Sequence, residues 1–250
     1  MFDAKKETKK IVEFIRDYYK KNKLGGAVFG ISGGKDSGVV AALMVEALGK
    51  ENVLGITMPC HSHKDDKNLA QVVANKYGFE LINIDLTKTY DTFKKEVEKL
   101  GEFTDEEYKN SDINVKPRLR MSTCYYMAAL YTAIKGKPYI VAGTSNKCEL
   151  YVGYFTKGGD SVHDISPIGD LTVDEVIQVG EVLGVPKEVL YRVPSDGLSG
   201  QSDEDKLGVK YKDIAAYMED PKSVPKEVAE KIEKLHNGCQ HKFFIPKYER

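Results

Sequence analysis

Apolar positions in the first 145 residues form short runs that are separated by longer segments with helical spacing. Four of these runs have the length and the flanking residues of buried strands, at 27–31, 52–58, 80–86 and 137–143. The periodic segments predict helices at 4–22, 38–48, 64–77, 88–100 and about 115–134. Strands that alternate with helices predict an α/β fold, a doubly wound parallel sheet flanked by helices.

The strand signal fades in the second part of the chain. Helices are expected at 173–183, 186–191 and 224–236, whereas 151–170 is predicted to be loop. The polar, glycine-bearing stretch 194–207 is a candidate loop or lid. Because no repeat and no convincing linker divides the sequence, we expect a single domain over residues 1–250.

Composition narrows the classes of function. The 250 residues include 37 Lys and Arg against 38 Asp and Glu, so the net charge is -1 and no global basic field attracts nucleic acid. The apolar stretches are far shorter than the ~20 residues of a membrane span, and the first ten residues lack a signal-peptide core. The four cysteines are widely separated, without a CxxC pair. We therefore expect a cytoplasmic protein without a nucleic-acid or membrane partner.

The strongest local signal is the string GISGGKDS between the first strand and the helix that follows it. Small residues let the backbone approach an anion closely, and N–H groups at a helix N-terminus point at it. Two hydroxyls and one lysine add further donors. The string predicts a phosphate-binding loop whose members are Gly30, Ile31, Ser32, Gly33, Gly34, Lys35, Asp36 and Ser37.

This loop differs from two common nucleotide-binding motifs. Phe29 stands where the P-loop of mononucleotide-binding proteins needs its first glycine, and Ser32 replaces the second glycine of the dinucleotide fingerprint. Asp36 makes sense beside phosphates only if a cation balances it, and Mg²⁺ commonly takes one or two carboxylates together with phosphate oxygens. An ordinary glycine-rich turn is the simpler alternative, but the six-residue string SGGKDS favours phosphate binding.

SGGKDS resembles the pyrophosphatase loop of enzymes with a Rossmann-like fold that split ATP between its α- and β-phosphates. Three later segments resemble those of NAD synthetases: 114–121 resembles N-x-x-A-R-x-R-M, 143–149 resembles G-T-x-x-x-x-E, and 153–160 resembles G-[YF]-x-T-K-x-G-D. The segments occur in the family's order, and the resemblance covers about residues 5–245. The chain thus resembles the ammonia-dependent NAD synthetases of the ATP pyrophosphatase superfamily.

The resemblance implies a ligase of NAD biosynthesis. In that family the nicotinate carboxylate of deamido-NAD attacks the α-phosphate of ATP, which gives an adenylate and pyrophosphate. Ammonia then displaces AMP and forms the amide. The implied partners are ATP, deamido-NAD and ammonia, the implied cofactor is Mg²⁺, and the family is homodimeric.

The resemblance also implies roles for individual residues. Asp36 and Glu149 are expected to bind Mg²⁺, while Thr144 and Ser195 are expected to contact ATP together with the loop. The expected contacts with deamido-NAD come from Arg118, Lys157, Asp164, His241 and Lys242. Lys157 and Asp160 are the expected catalytic residues. The assignment of Asp160 comes from its chemistry rather than from the resemblance, since a nearby carboxylate is a candidate acceptor of the proton that ammonia loses. Taken singly, most of these side chains would be assigned to solvated surface positions.

Three positions depart from the family pattern. Val173 occupies a position where the family often has an ATP-contacting lysine, so either another cation replaces it or the γ-phosphate is held more weakly. Ser195 replaces a threonine and Pro117 replaces an alanine, with no obvious effect on the chemistry. The 115–134 helix also carries an apolar stripe that is either a dimer face or core: Tyr125, Tyr126, Met127, Leu130 and Tyr131.

Three alternative functions are less well supported by the sequence. A glutamine-dependent synthetase needs an amidase domain, whereas the resemblance already occupies nearly all 250 residues. A tRNA sulfurtransferase with the same loop would be expected to have paired cysteines and a basic surface. A nucleotide sensor would not need Lys157 and Glu149.

Overall fold

The computed structural model describes residues 2–61, 64–192 and 203–249. Its centre is a four-stranded parallel sheet. The strands are β1 (Gly26–Gly30), β2 (Val53–Thr57), β3 (Glu80–Asn83) and β4 (Tyr139–Val141), in the spatial order β3-β2-β1-β4. The direction of winding reverses between β1 and β4. In open α/β sheets, ligands bind at such a point, beyond the carboxyl ends of the strands.

Helices connect the strands and continue after the last of them. In the described ranges they are α1 (Ala4–Lys21), α2 (Lys35–Leu48), α3 (Lys64–Tyr77), α4 (Thr87–Glu98), α5 (Asp105–Lys135), α6 (Lys147–Val152), α7 (Val173–Leu183), α8 (Lys187–Leu190), α9 (Asp203–Leu207), α10 (Tyr211–Glu219) and α11 (Lys226–Cys239). Short 3-10 helices lie at Lys50–Asn52 and Gln240–Lys242. Within the described residues, no helix is both long and apolar enough to cross a membrane.

Different helices bury the two faces of the sheet. Ala27 and Phe29 of β1 pack into a core cluster with side chains of α1, α2, α3 and α7. Val28, between them, points to the other face and packs with side chains of α4 and α5. Successive side chains of a strand alternate between faces, so a strand buried on both sides is apolar throughout. The predicted doubly wound α/β fold is confirmed.

A third apolar cluster lies beyond the sheet, where α6, α10 and α11 pack together. Cys148 of α6 is fully buried in it, and so are Ile214 of α10 and Ile232 of α11. This cluster fixes α6, which directly follows the carboxyl end of β4, against the C-terminal helices. The two C-terminal helices therefore support the edge of the sheet at which a ligand is expected.

Helix α5 begins well before the predicted start at residue 115. Its N-terminus is a capping box in which Thr104 and Glu107 bond each other's backbone N–H groups. Pro117 consequently lies inside the helix instead of in its first turn. The stretch 105–114 is almost entirely polar, so its residues give no apolar periodicity to detect.

Three further helices, α6, α9 and α10, were not expected from the sequence. Helix α6 has only six residues, which is too short for a periodic pattern, and α10 lies in a stretch for which no element was predicted. Helix α9 occupies part of the candidate lid at 194–207, and residues 193–202 lie outside the described part of the chain.

Leu54 provides a test of the packing on the α5 face of the sheet. Its side chain is 1% exposed, so we expect Leu54→Ala to lower the free energy of unfolding by about 2–5 kcal/mol, because it leaves a cavity. Leu100, which is 81% exposed, is the matched control, and Leu100→Ala should change stability by about 0.5 kcal/mol or less. Urea denaturation measures both, and equal effects would contradict the assignment of this core.

Candidate active site

The loop between β1 and α2 turns tightly around its own hydroxyl groups. Gly33 adopts a φ of 78°, in the left-handed region that side chains disfavour. Ser37 Oγ accepts a hydrogen bond from the backbone N–H of Ser32 (3.2 Å) and donates one to the carbonyl oxygen of Gly34 (3.1 Å). Ser32 Oγ accepts a bond from the N–H of Gly34 (3.2 Å). The two serine hydroxyls therefore stabilise the turn through hydrogen bonds and are also part of its surface.

Helix α2 starts directly from this turn. Its N-cap residue is Gly34, which offers no side chain to the first N–H groups of the helix. These groups have no intrahelical partner and carry the positive end of the helix dipole. The turn and the helix start together lie at the carboxyl end of β1, a geometry suited to a phosphate.

Lys35, the first residue of α2, holds a buried positive charge. It is 7% exposed, and its Nζ lies 3.0 Å from Asp36 Oδ2 and 5.9 Å from the centre of the Tyr211 ring. Burial lowers the pKa of Lys35, but nearby carboxylates, Asp36 first among them, raise it by more. The other two contributing carboxylates are Glu149 and Asp203. The ammonium group therefore remains charged.

Asn146 joins the two residues that the sequence assigns to Mg²⁺, which we call the acidic pair, Asp36 and Glu149. Asn146 is fully buried just after β4 and is the N-cap of α6. Its Nδ2 donates to Asp36 Oδ1 (3.2 Å), and its Oδ1 accepts from the N–H of Glu149 (3.1 Å). Glu149 Oε2 accepts in return from the N–H of Asn146 (3.1 Å), which completes a capping box.

The acidic pair suits a divalent cation. Burial raises the pKa of Glu149 well above its usual value, and the neighbouring Asp36 raises it further. Two carboxylates that are both bonded to Asn146 are the type of ligand that Mg²⁺ takes alongside phosphate oxygens. In the part of the chain that the structure describes, no group of three or more His, Cys, Asp or Glu could hold a metal ion. A nucleotide would therefore have to supply further ligands.

The other predicted ATP contacts are only partly described. Thr144 follows β4 and is half-buried, two residues before Asn146. Ser195 lies outside the described residues. Val173 begins α7 and packs, half-buried, against the third apolar cluster. The position at which the family often has a lysine is therefore part of the apolar packing next to α6.

A second group of predicted site residues, which we call the Arg118 cluster, consists of Arg118, Lys157 and His241. Arg118 on α5 donates from both Nε and Nη2 to the carbonyl oxygen of Lys157, at 3.2 Å each. Lys157 Nζ donates to the carbonyl oxygen of His241 (2.6 Å). The structure thus brings together three predicted deamido-NAD contacts from three separate segments.

The Arg118 cluster lies at the same edge of the sheet as the phosphate loop. Arg120, two residues along α5, donates from Nε to the carbonyl oxygen of Met58, which follows β2 (3.2 Å). The methyl group of Met58 packs so closely on Gly30 that a Cβ there would lie 2.9 Å from it. The small size of Gly30 thus leaves room for the methyl group of Met58, the residue whose carbonyl oxygen Arg120 binds.

Lys242 and Asp164 are already bonded within the protein. Lys242 Nζ donates to two backbone carbonyl oxygens, those of Gly153 (2.6 Å) and Phe155 (2.8 Å). Asp164 Oδ2 accepts from a backbone N–H of β4 (2.8 Å), and Oδ1 accepts from the hydroxyl of Tyr125 (3.2 Å). Both side chains therefore fasten segments of the fold, and their contact with deamido-NAD stays a prediction.

Asp160 lies in the glycine-rich loop after α6. Its side chain reaches solvent, yet the surrounding protein partly desolvates the carboxyl group and raises its pKa. The N–H of Thr156, which donates to Asp160 Oδ1 (2.8 Å), and the charges of Lys242 and Arg120 act in the opposite direction. A carboxylate with a raised pKa is a better proton acceptor, and the role of Asp160 as a base stays a prediction.

Sequence reasoning assigned no role to several residues that shape the phosphate site: Asn146, Tyr154, Asp203 and Tyr211. Tyr154 donates its hydroxyl hydrogen to Asp203 Oδ1 (2.9 Å). The spacing of Asn146 and Glu149 is a capping-box signature, so the sequence could have revealed the function of Asn146. Nothing in the sequence distinguishes Tyr211 from the other tyrosines.

Comparisons with known proteins cover nearly the whole chain. The family model described as NAD synthase matches residues 7–246. The NH(3)-dependent NAD(+) synthetase of Carboxydothermus hydrogenoformans is 38% identical over 96% of this chain and 95% of that protein. The enzyme of the same name from Methanocaldococcus jannaschii is 43% identical over 82% of this chain and 76% of that protein.

Solved structures with the same fold also cover the whole chain. NMN synthetase from Francisella tularensis has a TM-score of 0.87 to this chain at 33% identity, covering 100% of this chain and 99% of that one. NH3-dependent NAD synthetase from Campylobacter jejuni, in complex with nitrate, has a TM-score of 0.79 at 28% identity and full coverage of both chains. The matched region includes both the phosphate loop and the Arg118 cluster. The chain therefore belongs to the NAD synthase family.

Proposed function

We propose that this protein is an ammonia-dependent NAD⁺ synthetase, which amidates deamido-NAD with ammonia at the expense of ATP. It is a ligase of NAD biosynthesis that releases AMP and pyrophosphate. The observation that carries this proposal is the link from Asp36 through Asn146 to Glu149, beside the buried charge of Lys35 and the turn of the phosphate loop. This arrangement suits a Mg²⁺-bound triphosphate.

The phosphate loop holds the part of ATP that leaves. The first N–H groups of α2 and the hydroxyls of Ser32 and Ser37 face the β- and γ-phosphates, and Lys35 balances the charge that develops on departing pyrophosphate. The family often has an ATP-contacting lysine at the position of Val173, which carries no charge. We assign that contact to the buried ammonium group of Lys35. Asp36 and Glu149 hold Mg²⁺, which when bound neutralises phosphate charge and fixes the geometry of the triphosphate.

The Arg118 cluster orients the second substrate. Arg118 and Lys157 carry positive charges toward the dinucleotide, and their mutual link through a backbone carbonyl keeps both in place. In the first step a nicotinate carboxylate oxygen bonds to the α-phosphorus, and the bond from that phosphorus to the bridging oxygen breaks as pyrophosphate leaves. In the second step ammonia bonds to the acyl carbon and AMP leaves. Asp160 accepts the proton that the new nitrogen loses.

In this proposal the chain works as one domain in a homodimer. On α5, Tyr126, Leu130 and Ile134 recur every four residues and are 72%, 42% and 63% exposed, which makes an apolar stripe on one side of the helix. The other members of the predicted stripe pack into the core instead: Tyr125, Met127 and Tyr131. The stripe is thus core on one side and a candidate dimer contact on the other.

All four cysteines are buried free thiols, in keeping with a cytoplasmic enzyme.

The reaction itself is the first test. With ATP, Mg²⁺, ammonium and deamido-NAD, the purified protein should release AMP and pyrophosphate in equal amounts with NAD⁺, because each amide formed consumes one adenylate. Chromatography of the nucleotides measures this. Glutamine in place of ammonium should give no NAD⁺ above background. Release of ADP, or equal rates with glutamine, would contradict the proposal.

Glu149 permits a controlled test of the metal assignment. Glu149→Gln keeps a capping-box residue at the start of α6 but removes a metal ligand, so turnover should fall on the order of 10²–10³-fold. Glu175 has the same capping position in α7 with Thr172 as its partner, so Glu175→Gln is the matched control and should retain near-normal turnover. Steady-state rates measure turnover, and thermal unfolding shows whether both variants are folded. Two equally active variants would contradict the assignment of Glu149 as a metal ligand.

A second candidate function follows from the likeness to an NMN synthetase. Nicotinate mononucleotide carries the same reactive carboxylate as deamido-NAD but lacks the adenylate half. Since the extra half offers further contacts, we expect kcat/KM for deamido-NAD to exceed that for the mononucleotide by about tenfold or more. Parallel assays at matched ATP and ammonium measure the ratio. A ratio below one would favour the second function while leaving the phosphate site unchanged.

A further inference from the structure

Tyr211 carries a buried hydroxyl group without a hydrogen-bond partner. The residue begins α10 and is 4% exposed. Its Oη bonds to no atom that the structure describes, and only one other buried side-chain oxygen among the described residues shares this property. Burying an unpartnered hydroxyl is unfavourable, so native proteins rarely retain one without a reason.

The surroundings of this hydroxyl are the phosphate site. The charged groups that act on the Tyr211 ring and hydroxyl are Lys35, whose Nζ lies 5.9 Å from the ring centre, and three carboxylates: Glu149, Asp203 and Asp36. Burial and these negative charges raise the pKa of Tyr211, so the hydroxyl keeps its proton and acts as a donor.

Tyr211 is also held firmly in place. Its backbone N–H donates to Glu204 Oε1 in α9 (2.9 Å), and its carbonyl oxygen accepts from the thiol of Cys148 (3.8 Å), the residue before Glu149. The backbone of Tyr211 is thus bonded to α9 and to α6, and its side chain is buried between neighbouring elements. A buried donor on a backbone held in this way is pre-organised for an acceptor that arrives from outside.

We propose that Tyr211 is a further nucleotide-contacting residue, whose hydroxyl donates a hydrogen bond to an oxygen of the Mg²⁺-bound phosphates between Lys35 and Glu149. The inference rests on the proposed function, because it concerns the same site. A buried hydroxyl that is unpartnered in the free protein and bonded in the complex contributes to binding and little to folding. This combination distinguishes it from a structural tyrosine.

Tyr211→Phe removes only the oxygen, and its first readout is the stability of the free protein. Because the hydroxyl has no partner among the residues that the structure describes, the melting temperature of the free variant should equal or exceed that of the wild type. A lower melting temperature would show that the hydroxyl has a partner in the folded chain, and this result would overturn the inference.

The second readout is binding, measured by calorimetry with Mg²⁺-ATP, Mg²⁺-pyrophosphate and AMP. A hydrogen bond to a charged acceptor predicts that Tyr211→Phe weakens binding of the first two ligands about tenfold or more, with AMP unchanged. Tyr217→Phe is the matched control on the same helix, where Tyr217 packs against Tyr151, and it should bind all three ligands as the wild type does.

The outcomes separate this inference from the proposed function. If the wild type bound neither Mg²⁺-ATP nor Mg²⁺-pyrophosphate, the phosphate site itself would be wrong. If the wild type bound them and Tyr211→Phe bound them equally well, only the role of Tyr211 would be overturned. A loss for AMP as large as for Mg²⁺-pyrophosphate would place the contact outside the phosphate end and overturn it as well.

Discussion

One buried amide organises the site. The side chain of Asn146 donates to one carboxylate of the acidic pair and accepts from the backbone N–H of the other residue. Two negative groups do not approach each other in a partly desolvated place unless other interactions hold them there. The amide supplies that restraint, and the adjacency of β1 and β4 brings its two partners within reach. The position of Glu149 relative to Asp36 and the phosphate loop depends on this contact.

The charges of Lys35 and the neighbouring carboxylates also stabilise one another. Lys35 is nearly buried and stays charged because carboxylates surround it, while these carboxylates tolerate their own proximity in part because Lys35 is there. The site is thus a set of mutually dependent charges rather than a row of separate ligands. Such a set is pre-organised before substrate arrives, which is the condition under which electrostatic stabilisation of a leaving pyrophosphate is effective.

The sequence was sufficient for the sheet and for the loop, because both depend on local patterns. The apolar runs at 27–31 and 52–58 correspond to β1 and β2, and the glycine loop lies where a strand meets a helix. Helix α6 escaped detection since six residues hold no periodicity, and the first ten residues of α5 offered no apolar stripe.

The contacts within the site were less accessible to sequence reasoning. The bond between Asn146 and Asp36 exists only because two distant strands are neighbours, and the Arg118 cluster is joined through backbone carbonyls that any residue type possesses. The side chains of Lys242 and Asp164 were predicted to contact a ligand, but in the structure they bond to backbone groups and stabilise the fold. Residue identity indicates which chemistry is available, whereas the partner of each group is a property of the tertiary structure.

The shortness of α6 has a consequence for how the protein loses activity. A helix of six residues is not stable on its own and is maintained by its cap and by the cluster that it packs against. Local opening of this one segment would disperse the carboxylates while the sheet remained intact. We therefore expect inactivation and global denaturation to be separable events, and amide hydrogen exchange at the start of α6 would report the first of them.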